Sequence, residues 1–152
     1  MTQVKVGYGK LKELKGSITQ TQNAGLQFLL NPVNQACNLD EDLVNELNNK
    51  WRNVKGDLKT WFNNPSFYKM GNIRDLAVQS DMWIIHMLCK DQNSNFEDKS
   101  LKECFKKVAD LAKYEQASVH LSEKTINEFP KMMELIEEFF LKKNISVSIY
   151  KD

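Results

Sequence analysis

The sequence has no glycine after Gly71 and only six among its 152 residues. Its second half therefore cannot build a glycine-rich loop, in which bare backbone lets several amides converge on one phosphate. Long hydrophobic runs are missing too. The longest strongly apolar stretch, Met82 to Cys89, falls far short of the roughly 20 residues that a membrane-spanning helix needs, so no membrane partner is expected. Nor does one sign of charge dominate. Lysine and arginine number 21 against 20 acidic residues, and a net charge of +1 offers no global field to attract nucleic acid. The three cysteines, Cys37, Cys89 and Cys104, are an odd set without CxxC spacing, which points to reduced thiols in a cytoplasm. Two histidines fall short of a closed metal site without further ligands, and neither metal nor cofactor is expected.

What is present reads as a folded domain. Hydrophobic residues make up 41% and charged residues 27%, too apolar for disorder and ordinary for a globular chain. The length suits one domain over residues 1–152. Met1 to Lys15 is lysine-rich and lacks an apolar core followed by a small-residue cleavage site, so no signal peptide is expected.

Short apolar runs alternate with helical patterns, which favours an α/β fold with strands threaded between helices. Val4 to Leu14 reads as an opening strand. Leu26 to Leu30 is a compact run that Asn31-Pro32 is expected to stop, because proline cannot continue a ladder. Leu39, Leu43, Leu47, Trp51, Leu58 and Phe62 predict a helix from near Asp40 to Asn63, broken around Gly56. Phe67 to Met70 and Leu76 to Val78 suggest short strands. Trp83 to Leu88 is the strongest strand, apolar enough for burial on both faces. After a polar loop over Gln92 to Asp98, Ser100 with Glu103 reads as a capping box. Leu101, Cys104, Phe105, Val108 and Leu111 form the apolar face of the helix it opens. Ala117 to Leu121 predicts a strand and Thr125 with Glu128 a second cap. A further helix follows with Pro130 at its first position, and Ile145 to Tyr150 closes the chain as a strand.

Several landmarks in this order resemble a macro domain. Gly16-Ser17-Ile18-Thr19 is similar to the family's Gly-Asp-Ile-Thr. Phe28-Leu29-Leu30-Asn31-Pro32-Val33-Asn34 resembles its strand ending in Asn-x-x-Asn at the nucleotide cleft. Trp83-Ile84-Ile85-His86 resembles the central strand, Ser118-Val119-His120-Leu121 another cleft strand, and residues 135–150 the last helix and strand. The resemblance spans Gly16 to Tyr150. It implies a three-layer sandwich, a mixed sheet flanked by helices, and a small nucleotide as partner. Met87-Leu88-Cys89-Lys90 is similar to the small subgroup that removes ADP-ribose from acidic side chains, where a lysine ends the central strand. A fainter resemblance is to small macro-like proteins of T-even-type bacteriophages, which implies a bacterial host.

The departures are concentrated where that family binds phosphate. The residue expected to meet the adenine amine is Ser17 rather than aspartate. Gln35-Ala36-Cys37-Asn38-Leu39-Asp40 replaces the first glycine-rich loop, and Ser122-Glu123-Lys124-Thr125-Ile126-Asn127 replaces the second.

The resemblance implies ligand contacts from Ser17, Ile18, Asn31, Asn34, Asp40, His120, Ser122, Lys124 and Thr125. Asn31 and Asn34 offer amide donors and acceptors to a ribose or base, or they shape a turn. Asp40 and Asp42 help to activate water, or they favour the positive end of a helix dipole. Lys90 is the candidate catalytic residue, as an amine able to attack an opened ribose, or it is a solvent-facing strand stop. Lys124 and the hydroxyls of Ser122 and Thr125 replace glycine-loop amides as phosphate donors. His86 and His120, on strands expected to be neighbours, would need Cys89 to bind metal, yet strand alternation sends His86 and Cys89 to opposite faces. Trp51, Trp61 and Trp83, with Phe67 and Tyr68, form either a base-stacking surface or core and homo-oligomer contacts.

Three functions follow. The first is binding of an ADP-ribose-related or cyclic nucleotide without efficient hydrolysis, as a phage sponge for a bacterial immune signal. The second is an ADP-ribosyl hydrolase. The third is a protein-interaction module whose cleft is filled by Phe28, Cys37 or the 122–127 loop.

Overall fold

The computed structural model describes residues 8–20 and 24–152. In chain order these form β1 (Leu11–Lys15), β2 (Gln27–Asn34), α1 (Asp42–Lys50), α2 (Val54–Phe62), β3 (Ile73–Gln79) and β4 (Met82–Lys90). Then come α3 (Asp98–Glu115), β5 (Ser118–Ser122), α4 (Glu123–Asn127), α5 (Met132–Phe139) and β6 (Val147–Lys151). The six strands make one sheet in the order β1-β6-β5-β2-β4-β3. All neighbours are parallel except β3, which pairs antiparallel with β4 at one edge.

The sheet separates two apolar layers because side chains alternate across it. Phe28 and Leu30 of β2, with Ile85, Met87 and Cys89 of β4, meet Leu101, Phe105 and Val108 of α3 and Ile136 of α5. Leu29 and Ile84 meet Leu47 of α1 and Val54 of α2 on the opposite face, where Val33 and Leu88 meet Leu58 and Trp61. This is the expected α/β three-layer sandwich. Every residue of β2 is buried, as suits a parallel strand covered on both faces. No helix among the described residues is long and apolar enough to cross a membrane.

Several boundaries differ from the sequence reading, each for a local reason. Pro32 does not end β2, which runs on to Asn34. Strand β5 pairs with β2 only over Gln27 to Leu29, so the later residues have β4 alone as a neighbour and a missing N–H is tolerated. The long helix breaks at residues 51–53, and Gly56 lies within α2. Phe67 to Met70 is turn rather than strand. Helix α3 starts at Asp98, so Ser100 sits in its first turn and donates to Glu97 (2.5 Å). Glu103 instead covers Gly71, whose φ of +91° disfavours any L side chain and where an added Cβ would have to displace that carboxylate. Ser122, not Thr125, caps α4 by accepting from the Lys124 amide, and α5 begins at Met132, two residues past Pro130. Residues 4–7 of the expected opening strand lie outside the described residues.

The shortage of glycine has a structural consequence. Beyond Gly71 the chain still needs left-handed turns, and it makes them with Ser94 (φ 62°), Gln116 (φ 56°) and Asn144 (φ 61°). Such a conformation costs an ordinary side chain about 1–2 kcal/mol. Gln116 ends α3 in this geometry, where glycine is preferred. Urea denaturation should therefore show Gln116→Gly raising stability by about 0.5–1 kcal/mol. Phe105→Ala, which empties a fully buried site, should lower stability by about 3–5 kcal/mol in the same measurement.

Candidate functional site

The chain leaves β2 toward α1 on one face of the sheet and leaves β4 toward α3 on the other. Adjacent parallel strands whose connections diverge in this way leave a crevice at their C-terminal ends. Here the crevice is an open cavity of about 700 Å³. The end of β4 and the segment before α1 line it, and α4 with the following turn closes the far side.

Lys90 ends β4 and stands at the centre. It is only 5% exposed, unlike a solvent-facing stop. Its ammonium lies 3.1 Å from Glu128 Oε2 and 3.4 Å from Glu41 Oε2, and 5.0 Å from the centre of the Phe96 ring. The second carboxylate oxygen of Glu41 accepts hydrogen bonds from Ser94 Oγ (2.8 Å) and Asn34 Nδ2 (3.2 Å). Asn34 Nδ2 also donates to Ser94 Oγ at 2.6 Å, and Asn34 Oδ1 accepts from the Asn38 amide. The Tyr68 hydroxyl, pushed up by burial, fixes the Asn34 carbonyl. A register shift between Val33 and Asn34 sets Asn34 opposite Lys90 instead of Cys89. Such a bulge re-aims side chains at the end of a strand.

The residues nominated from sequence divide into groups. Asp40, Lys124 and Thr125 line the same cavity as Lys90, and Asn34 reaches its wall through Ser94 and Glu41. Asn31 does not line it. Its amide is fully buried and hydrogen-bonded to His86 Nδ1 (2.9 Å), while its Oδ1 has no partner among the described residues. His86 Nε2 lies 3.5 Å from Asp57, which also takes a bidentate contact from Arg74. Burial pushes the His86 pKa down. Burial also pushes Asp57 up, but the adjacent His86 imidazole and the hydrogen-bonded Arg74 guanidinium outweigh it and hold that carboxyl below the usual range.

His120 is also fully buried, bonded to Ser118 Oγ (2.7 Å) and Tyr150 OH (2.8 Å) rather than lining the cavity. His86 and His120 are not on neighbouring strands, since β2 lies between β4 and β5. Cys89 packs on the α3 face, away from His86. Among the described residues no group of His, Cys, Asp and Glu is placed to hold a metal ion. Ser122 is occupied in capping α4. Ser17 donates to Glu46 (2.6 Å) and, with Gln20 and Tyr150, lines a separate depression of about 300 Å³ at the ends of β1 and β6. Ile18 is buried.

Trp61 packs against His86 and Tyr68, and Trp83 stacks on Phe28, so both serve the packing rather than a surface for bases. Phe28 lies in the core, and residues 123–127 form α4 at the rim, so neither fills the cavity. Sequence reasoning missed Glu41, Ser94, Phe96 and Glu128. Glu41 sits inside an acidic triplet, Asp40-Glu41-Asp42, in which nothing local marks the middle residue. Glu128 is 38 residues from Lys90, and only the return of β5 beside β2 brings it close.

No family model and no curated protein match this chain in sequence. Solved structures do match in fold. A macrodomain protein from Streptomyces coelicolor shares 17% identity at a TM-score of 0.88, covering 94% of this chain and 99% of that one. The macrodomain of Thermus aquaticus DarG gives 0.74 at 14% identity, over 95% of this chain and 99% of that one. Thermosipho africanus DarTG in complex with ADP-ribose gives 0.66 at 15% identity, covering 82% of this chain and 38% of its own. The fold is therefore that of the macrodomains.

The buried histidines generate a pH dependence. Burial lowers the His120 pKa from 6.5 to about 4 in the folded state. Between those values the unfolded chain takes up a proton that the folded chain refuses, so stability falls as pH drops through this window. Above pH 6.5 the term is constant. In thermal melts between pH 7 and 4.5, His120→Gln should flatten the acid-side fall, with a limit of about 1.4 kcal/mol per pH unit.

Proposed function

We propose that this protein binds an ADP-ribose-related or cyclic nucleotide in the cleft around Lys90 and does not hydrolyse it efficiently. The observation that carries this reading is Lys90 itself, a nearly buried cation at the carboxyl end of the central strand pair, facing an open cavity. The macrodomain fold supports it, since one neighbour of that fold holds ADP-ribose. Asn34, Lys124 and Thr125 supply donors for a ribose and a phosphate, and Asp40 an acceptor. The depression beside Ser17 and Tyr150, at the same end of the sheet, suits the base.

Two features argue for binding over turnover. The Lys90 ammonium is held by two carboxylates, and an ammonium has no lone pair with which to attack a carbon. Acidic side chains at Asp40, Glu41, Asp42 and Glu128 outnumber Lys90 and Lys124 on the cavity wall, so a diphosphate gains less here than in a glycine-lined loop. The wider role we infer is a stoichiometric sponge for a signal nucleotide, in line with the resemblance to phage proteins.

A second reading rests on Glu128. Its carboxylate, 3.1 Å from Lys90, is the acidic partner that an ADP-ribosyl hydrolase would need in order to take the lysine's proton.

Calorimetry against ADP-ribose, cyclic ADP-ribose isomers and cyclic dinucleotides should find a 1:1 ligand, with Lys90→Ala weakening it about 10- to 100-fold. No binding to any of them would overturn the proposal. Ligand recovered intact after denaturation supports the sponge, whereas release of ADP-ribose from a modified protein, abolished by Lys90→Ala, supports the hydrolase.

A further inference from the structure

The end of the sheet opposite the Lys90 cleft carries a second polar surface. Lys10 and Lys12 from the start of β1, Ser118 from the start of β5, and Ser146 and Ser148 around the start of β6 line a groove of about 290 Å³. An adjoining depression of about 550 Å³ shares Ser118 and Ser146 and adds Lys113. No carboxylate lines either one among the described residues, in a chain with nearly as many acidic as basic groups. Neither Lys10 nor Lys12 is ion-paired among the described residues.

Two of the hydroxyls in this groove have partners inside the protein. Ser146 Oγ accepts the Lys10 backbone amide at 3.1 Å, so its own proton is available to donate outward. Ser118 Oγ lies 2.7 Å from His120 Nε2, and His120 Nδ1 lies 2.8 Å from Tyr150 OH. Burial pushes Tyr150 up to about 12, so the phenol keeps its proton. Burial likewise keeps His120 neutral, with one N–H to give.

In the tautomer with the proton on Nε2, neutral His120 accepts from Tyr150 OH at Nδ1 and donates to Ser118 Oγ. The Ser118 proton then points into the groove. Two hydroxyls with protons available to donate and two ammonium groups around one small concavity match the acceptor-only surface of a tetrahedral oxyanion.

We propose that this groove is a phosphate site, taking inorganic phosphate or the phosphate group of a small monoester on Lys10, Lys12, Ser118 and Ser146. It lies away from Lys90 and does not rest on the nucleotide reading, although Lys12 also borders the depression beside Ser17 and Tyr150. With the His120 proton on Nε2, Ser118 Oγ accepts from the imidazole and its own proton goes to the phosphate, so Ser118 serves as a hydrogen-bond donor and not a nucleophile.

Two-dimensional amide NMR of the full chain at pH 7 tests this, with sodium phosphate and ribose 5-phosphate titrated separately against sodium chloride of equal ionic strength. Saturable shifts at Lys10, Ser118 and Ser146 are expected, and the ligand that causes them identifies the source of the phosphate. Ser118→Ala and Ser146→Ala should each weaken binding about tenfold. Ser146 is exposed, so Ser146→Ala should keep the fold and leave nucleotide binding in the Lys90 cleft unchanged. Shifts confined to Lys124 and Thr125, or none beyond those in chloride, would overturn the proposal. A side-chain nitrogen spectrum placing the His120 proton on Nδ1 would overturn it as well, because the hydrogen-bond chain would then run backwards.

Discussion

The pairing of β2 with β4 is the constraint on which the rest of the structure depends. Both strands are almost wholly buried, and each sends alternate side chains into a different apolar layer. Neither layer closes without them. Parallel strands of this kind need cover on both faces, which α1 and α2 supply on one side and α3 and α5 on the other. Because the two strands hand the chain to opposite faces, the crevice at their ends follows from the same pairing that builds the core.

Polar groups on these strands carry the consequences. Along its buried length the pair contains Asn31 and His86, which share one hydrogen bond, with Asp57 and Arg74 beside the imidazole. At its end it places Asn34 beside Lys90, where the crevice opens. A buried lysine needs partners, and two glutamates from separate segments provide them. Those ion pairs tie the segment before α1 to the turn after α4 across the cavity. A ligand that enters must compete with them, so the resting state of the cleft is a closed set of internal contacts and not a ready-made cradle.

The two ends of the sheet also differ in charge. Acidic side chains gather around Lys90, whereas among the described residues the two depressions at the opposite end are lined by lysines and serines without a carboxylate. A net charge near zero hides this division completely. It arises because β1, β5 and β6 run parallel, so residues at the start of each strand meet at one end of the sheet and those at the finish meet at the other.

The sequence by itself determined the layers. Continuous apolar runs in β2 and β4 and helical spacing in α3 were enough to expect an α/β fold, because burial patterns are local and periodic, and the order of short motifs supplied the resemblance to a macro domain. It also showed where glycine was missing, and hence which loops could not bind phosphate in the usual way. Some local expectations failed where a neighbour decided the outcome. Pro32 stays within its strand because β5 has already turned away, and Glu103 covers Gly71 instead of capping its helix. Tertiary structure alone decided the partners of the site. Glu41, Ser94 and Glu128 come from three segments with no common pattern, and a single bulge turns Asn34 toward them while Asn31 stays with His86. Periodicity specifies which face of an element is buried; which charges meet depends on the path of the chain between elements, and no local pattern encodes that path.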